Sequence, residues 1–327
     1  MKLFTVAALL VASASYAQNT PLNAVSVTWK LATGYRAESF HGKNLAQFAQ
    51  DVDAATQGAL KIELHTNSSL VKLSEIKAAV QSGRLEAGET IMSALAKELP
   101  LAGADSVPFV VGTYADALRM WQLQRPGIER STAMQGLKVL YAAPWPPQGL
   151  YSQKSIHSEA DFRGTQMRTY NASTVRIAEL LGAKPVDVPM VEVSKALSEG
   201  RMDNMITSSV TGAENKVWSH LKYYYEINAW FPKNIVVVNT AVFEALPENA
   251  KKALLIAADR AQSRGWSMSQ VANTDATNEL KANGIKVERM PRELENRLKR
   301  LGEKFSREWV RSVGNDANAL FIPFYAP

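Results

Sequence analysis

Apolar and polar residues alternate with period two over 25–31 and again over 60–65, the spacing of half-buried strands. Between them Leu45, Phe48, Ala49 and Val52 recur every three to four residues, as on one face of a helix. The pattern therefore predicts a strand, a helix over 41–55 closed at Gly58, and a second strand. A helix over 73–82 stopped by Gly83 and a buried strand over 85–93 extend the series to β-α-β-α-β. That order belongs to an α/β lobe with a largely parallel sheet. Helical spacing then covers 114–122 and 128–135, and a strand over 138–142 runs into the stiff loop Pro144, Trp145, Pro146, Pro147. A second α/β series follows. Its strands are expected at 150–154, 166–168, 185–188 and 205–207, and its helices at 174–181 and 191–198, closed by Gly182 and Gly200. Residues 213–221 read as helical, 223–227 as extended, and the β-branched run 235–238 as a central strand. From Pro247, a residue suited to a first helical turn, helical spacing continues to about Ala282, with a bend expected at Gly265 or Trp266. A strand at 285–287 and a helix over 291–313 complete the pattern.

A chain of 327 residues exceeds what one hydrophobic core commonly serves, so two lobes are expected. Residues 24–143 with 235–285 form the first, 144–234 the second, and 286–327 a strand and helix packing across both. Hydrophobic residues make up 46% and charged residues 21%, ordinary values for a soluble globular chain. The formal net charge of +6 is spread along the chain with no concentrated basic stripe, so no nucleic-acid partner is expected and the bias favours anionic ligands. The absence of cysteine excludes disulfides, thiolate metal sites and thiol nucleophiles, and is compatible with an oxidising compartment. Lys2, an apolar run over 3–12, and the small residues Ser15 and Ala17 before Gln18 have the layout of a signal peptide over 1–17. Its apolar run is too short to span a bilayer core of roughly 30 Å. A periplasmic, monomeric protein is the expectation.

Catalytic signatures are missing. The sequence contains no H-E-x-x-H, G-x-S-x-G, Walker loop or G-x-G-x-x-G. His41, His65, His157 and His220 lie far apart, without the pairing a metal site needs. Ser69 and Lys72 match S-x-x-K, but the partner motifs of that chemistry are absent. A binder is expected rather than an enzyme, with no cofactor and no metal.

The most informative segment is Asp161, Phe162, Arg163, Gly164, Thr165, Gln166, Met167, Arg168, a turn feeding a short strand that ends in arginine. It resembles the D-L-K-G-x-K-x-R motif of the solute-binding subunits of TRAP transporters, the DctP family. Further segments agree in order. Gly182 and Ala183 with Pro185 and Pro189 are similar to the family's G-A-x-P-x-x-x-P. Glu192, Val193, Ala196, Leu197, Gly200 and Asp203 resemble E-V-x-x-A-L-x-x-G-x-V-D. Where many relatives carry D-G-x-E-N this chain has Asp203 and Asn204 followed by hydroxyl residues, so its ligand contacts should differ from those of sialic-acid-binding members. The resemblance implies an α/β, two-lobe periplasmic binding protein fold with a ligand cleft between the lobes and a long C-terminal helix. It also implies a permease in the membrane as partner and a small organic acid as ligand.

By position in the motif, Arg168 is the residue that pairs with a ligand carboxylate. A guanidinium matches that group bidentately and keeps its charge when desolvated. Gln148, Asn171, Thr207, Ser208, Tyr35 and Thr90 are further candidate contacts, with Glu89 beside Thr90. Trp145, Trp230 and Phe231 are candidate walls, with core packing as the competing role for each. One arginine among aromatic walls suits a monocarboxylate such as an aromatic 2-oxo or 2-hydroxy acid. A binding protein of another importer class (tripartite tricarboxylate or ABC) and a periplasmic hydrolase remain the alternatives.

Overall fold

The computed structural model describes residues 26–326, so the expected signal peptide over 1–17 lies outside it. The chain runs β1 (Val27–Ala32), α1 (Phe40–Ala55), β2 (Leu60–His65), α2 (Ile76–Gln81), β3 (Ala87–Ile91), α3 (Tyr114–Ala133) and β4 (Leu137–Pro144). It then crosses into β5 (Gln148–Ser152), β6 (Gln166–Thr169), α4 (Ala172–Leu180), β7 (Lys184–Asp187), α5 (Val193–Ser198), β8 (Asn204–Ser208), α6 (Ser209–Glu214) and β9 (Tyr223–Tyr225). It returns as β10 (Lys233–Asn239), followed by α7 (Thr240–Glu244), α8 (Glu248–Ala282), β11 (Lys286–Glu288), α9 (Arg292–Val313) and α10 (Asn315–Tyr325).

Two sheets result. The first is five-stranded, in the order β2-β1-β3-β10-β4. Strands β1, β2 and β3 are parallel, and β10 enters antiparallel between β3 and β4 because the chain comes back from the other lobe. The second is six-stranded, in the order β11-β9-β5-β8-β6-β7, so the late strand β11 completes the sheet of the second lobe. Side chains of Trp29, Leu31, Phe48 and Val236 are buried against Leu254 and Ala258 of α8 on one face of the first sheet. The second lobe has its own clusters around Met167, Ile206 and Tyr225, and around Tyr151, Leu197 and Met205.

The lobes are joined where the chain crosses at 145–147 and again at 226–232, and these crossings pair with each other. Trp145 N donates to Pro232 O at 2.8 Å, Gln148 N to Trp230 O at 2.9 Å, and Ala229 N to Gln148 O at 2.9 Å. Two long helices bridge the same boundary. Helix α8 packs Leu254 and Ala261 in the first lobe and Leu280 in the second. Helix α9 buries Leu294 and Leu298 in the second lobe and Phe305 in the first.

Several elements depart from the sequence expectation. The two helices expected over 114–135 are one, and Pro126 sits inside it. A proline there removes one backbone donor and crowds the carbonyl four residues earlier. The helix expected over 213–221 begins earlier, at Ser209, because the Ser208 hydroxyl caps it by accepting from Thr211 N. It ends at Glu214, and Lys216 turns the chain with φ of 48°. Helix α10 was not anticipated. Gly314, at φ 74°, separates it from α9, and its Leu320, Phe321 and Phe324 pack into the first lobe. Helix α8 continues through Gly265 as one helix of 35 residues. The glycine is there for proximity: a Cβ would lie 2.7 Å from Ala143 Cβ and 2.8 Å from Asn44 Nδ2.

Gly265→Val should therefore lower stability by about 1–3 kcal/mol, the usual cost of overpacking, with unchanged secondary structure. Urea titration followed by circular dichroism measures it.

Candidate functional site

A cavity lies between the lobes, beside the paired crossings. Arg168 reaches it from β6, which runs between β7 and β8 and places Arg168 opposite Val186 and Met205. Both flanking strands shield it, and the side chain is 2% exposed. Its Nε donates to Val188 O at 2.9 Å, which fixes the plane of the guanidinium. Its Nη1 is buried without a protein partner. Its Cζ stands 4.9 Å from the centroid of the Tyr170 ring. Burial pulls the Arg168 pKa down to about 10, against the opposing pull of Tyr170, Asp187 and Tyr35, so the group is still cationic at neutral pH. Among the described residues lining the cavity, Arg168 is the only charged one.

Tyr170 is held in turn by Gln148. The Tyr170 hydroxyl donates to Gln148 Oε1 at 3.2 Å, and Gln148 Nε2 donates to Pro146 O at 2.9 Å. Both ends of the Gln148 carboxamide are thus engaged within the protein. Burial pushes the Tyr170 phenol up to about 12 although Arg168 opposes the shift, so it remains a neutral donor. Hydroxyls of Thr207, Ser208 and Thr211 border the cavity where β8 passes into α6. Ser208 Oγ and Thr211 Oγ1 share a hydrogen bond at 3.1 Å.

The opposite wall is apolar. Tyr35 and Trp145 meet edge to face with ring centroids 5.1 Å apart, and Ile91, Met190 and Pro232 complete the surface. The polar ends of both aromatics turn away from the ligand space. Trp145 Nε1 donates to Asn234 Oδ1 at 2.8 Å, and the Tyr35 hydroxyl donates to the same oxygen at 3.3 Å.

Six of the residues singled out in the sequence therefore converge: Arg168, Gln148, Trp145, Thr207, Ser208 and Tyr35. Five do not line the cavity, among them Glu89, which is buried in β3. Asn171 caps α4, accepting from Thr174 N at 2.9 Å, and reaches across the lobes to Ser93 Oγ at 3.0 Å. Thr90 is buried in β3 opposite Ile235. Trp230 packs in the second-lobe core, and Phe231 packs in the first against Tyr114 at 5.0 Å. Successive side chains of the returning crossing go to different surroundings, and of residues 230–232 only Pro232 faces the cavity. Ile91, Tyr170, Met190, Thr211 and Pro232 were missed. Tyr170 carried a usable signal, since residues two apart in extended chain share a face and Arg168 is two before it. The others sit on loops, a strand end and short helical turns whose direction no periodicity reveals.

The lobes touch around this space. Tyr35 and Phe40 of the first lobe pack with Trp145 of the crossing, Val210 and Ala213 of α6, and Ala276 of α8. Arg36 Nη1 donates to Glu214 O at 3.3 Å across the boundary. Burial there pushes the Glu214 carboxyl up to about 7, Arg36 opposes the shift, and Glu38 adds to it.

A model of the bacterial extracellular solute-binding proteins, family 7 (DctP), matches residues 31–310. The fold superimposes on DctP6 of Bordetella pertussis, described as an extracytoplasmic solute receptor binding pyroglutamic acid, with a TM-score of 0.89 and 36% identity over 91% of this chain and 99% of that one. A TRAP solute-binding protein from a marine metagenome, in complex with co-purified pyroglutamate, gives a TM-score of 0.89 and 38% identity over 91% and 98%. The C4-dicarboxylate-binding periplasmic protein DctP of Rhodobacter capsulatus is 26% identical over 251 residues, 73% of each chain.

Glu214 yields a pH prediction. Its carboxyl is raised above the ordinary value of 4.5 to about 7 where the lobes meet. The closed form thus holds a proton that the exposed group would have released. That contribution is full below about 4.5 and is lost as pH rises through about 7. Ligand affinity should therefore weaken between pH 5.5 and 8, and Glu214→Gln should flatten the slope. Calorimetric titration at several pH values reads it, and an equal slope in both proteins would refute the assignment.

Proposed function

The chain belongs to the DctP family, the bacterial extracellular solute-binding proteins of family 7, and from that membership we propose that it is the receptor for a compact monocarboxylate, with pyroglutamate as the leading ligand. The family is extracytoplasmic, and its members are substrate-binding receptors rather than enzymes. Delivery to the membrane permease subunits of a TRAP transporter, export by the leader over 1–17, and action as a monomer belong to the same proposal.

The observation that carries it is Arg168: buried, cationic, anchored through Nε, with Nη1 free of any protein partner. A carboxylate supplies the two acceptor oxygens that a guanidinium fork fits. No second cation among the described lining residues would neutralise a second carboxylate. Pyroglutamate has one carboxylate on a five-membered lactam, and relatives at 36% and 38% identity bind it. In this reading its ring would lie against Trp145, Ile91 and Met190, and its lactam would find hydroxyl partners in Thr207, Ser208 and Thr211. The aromatic acids suggested by the sequence become the second choice, because Trp230 and Phe231 are committed to the cores.

Pyroglutamate at a hundredfold excess over its Kd should raise stability by about 2.7 kcal/mol, seen as a thermal shift. Arg168→Ala and Arg168→Lys should weaken binding by about tenfold to several hundredfold, because loss of a hydrogen-bonded charge partner typically costs a few kcal/mol and a lysine cannot reproduce the fork. Wild-type affinity in these variants would remove Arg168 from the site and reopen the other importer classes. A shift with C4 dicarboxylates and none with pyroglutamate would overturn the ligand class.

A further inference from the structure

The turn that follows the cation is tied directly to the strand end that carries part of the apolar wall. Asn171 comes three residues after Arg168 and one after Tyr170, in the second lobe. Ser93 comes two residues after Ile91, in the first lobe. Asn171 Nδ2 donates to Ser93 Oγ at 3.0 Å and so joins the two lobes. The carboxamide is held before it reaches across. Its Oδ1 accepts from Thr174 N at 2.9 Å at the start of α4, and Asn171 N donates to Thr174 Oγ1 at 3.1 Å. With the oxygen engaged by a backbone N–H, the amide nitrogen faces away from the helix, and an amide nitrogen only donates. Ser93, 6% exposed, supplies the acceptor where water has little access. Other links nearby are more open to solvent. Further along α4, Arg176 meets Glu308 of α9 through two bonds of 3.1 Å, but both side chains are more than a third exposed, where an ion pair contributes little. The bond from Arg36 Nη1 to Glu214 O is also exposed.

We propose that Asn171 and Ser93 are a positioning pair that sets how long a bound acid stays, a clasp made as the lobes close and broken as they part. The proposal rests on the reading of the cavity as a carboxylate site and adds to it the residues that govern release. Arg168 and Tyr170 stand on one side of the clasp and Ile91 on the other, and all three line the cavity. A movement that separates the cation from the apolar wall therefore also stretches this hydrogen bond. Forming it takes little ordering, because the Asn171 side chain is already fixed as the cap of α4, and a group ordered beforehand loses little freedom on contact. Neither Asn171 nor Ser93 lines the cavity, so the pair acts on the rate of release and not on which acid is chosen.

Stopped-flow mixing with pyroglutamate, followed by tryptophan fluorescence, reads association and release separately, and Trp145 in the cavity wall contributes to the signal. Ser93→Ala should speed release about threefold to tenfold, the effect of one hydrogen bond lost, with association within about twofold of wild type. Asn171→Ser keeps an oxygen to cap α4 but is too short to reach Ser93, and should speed release to the same degree. The double variant should release no faster than either single one, since all three lack the same bond, and additive effects overturn the proposal. A direct ligand contact at Asn171 would speed release in Asn171→Ser and leave Ser93→Ala like wild type, which also overturns it. So does a Ser93→Ala protein whose urea midpoint falls without ligand while release is unchanged, the mark of a purely structural bond. Should Asn171→Ser not fold, Ser93→Ala decides alone. Failure of the wild-type protein to bind pyroglutamate sinks the ligand assignment and not the clasp. The ligand-free protein then decides, with fluorophores at Lys61→Cys and Lys195→Cys, one on each lobe of a chain that has no cysteine of its own. Ser93→Ala must move the labels further apart on average, and an unchanged separation overturns the proposal.

Discussion

Burying a guanidinium costs several kcal/mol unless a counter-charge or a full set of acceptors meets it. Arg168 has one carbonyl acceptor, an aromatic face and an unpartnered Nη1. The described carboxylates do not reach it, and nearby Asp187 acts only at a distance. The protein tolerates this because Arg168 stands on a strand flanked by two others, with its Nε pinned and its plane set by Tyr170. A cation prepared in this way loses little freedom when an anion arrives, and preorganisation of this kind converts contact into affinity.

The rest of the fold holds two lobes around that charge. The crossings at 145–147 and 226–232 pair with each other through backbone hydrogen bonds, so the lobes share a short ladder. Prolines at 144, 146, 147 and 232 lack the N–H that would otherwise need a partner in so buried a place. Helices α8 and α9 each belong to both cores and limit how the lobes can move relative to one another. The walls of the cavity come from both lobes and from the crossings. Opening the lobes would therefore dismantle the site, and closing them would bury whatever Arg168 has bound. Hinge closure around a ligand is a common use of this architecture.

Hydrogen bonds inside the protein decide what the cavity offers. Gln148 spends both ends of its carboxamide on Pro146 and Tyr170, so a residue suited to touch a ligand instead positions the one that touches Arg168. Asn234 accepts from Trp145 and Tyr35 and turns their polar ends outward, which leaves an apolar surface facing the cation. The hydroxyls gather where β8 enters α6. The site is thereby polar on one side and apolar on the other, with a single charge.

Strand and helix periods, glycine stops and the D-F-R-G-T-Q-M-R segment were enough to place most elements and to single out Arg168. These signals are local: a period of two or 3.6 residues and a turn glycine act within one element. The β-branched run around 235–238 marked a central strand, but not that it enters antiparallel, since the direction of a strand depends on where the chain returns from. Trp230 and Phe231 looked like cleft walls by composition and went to two different cores. Tyr170 and Gln148 make one unit only because β5 and β6 flank β8 in the same sheet. Glu89 and His41 are 48 residues apart in sequence and 2.9 Å apart in space. Sequence alone determined the elements and the one cation, because both follow from residue chemistry at short range. Tertiary structure decided which side chains share the cavity, because that depends on how two sheets and two crossings meet.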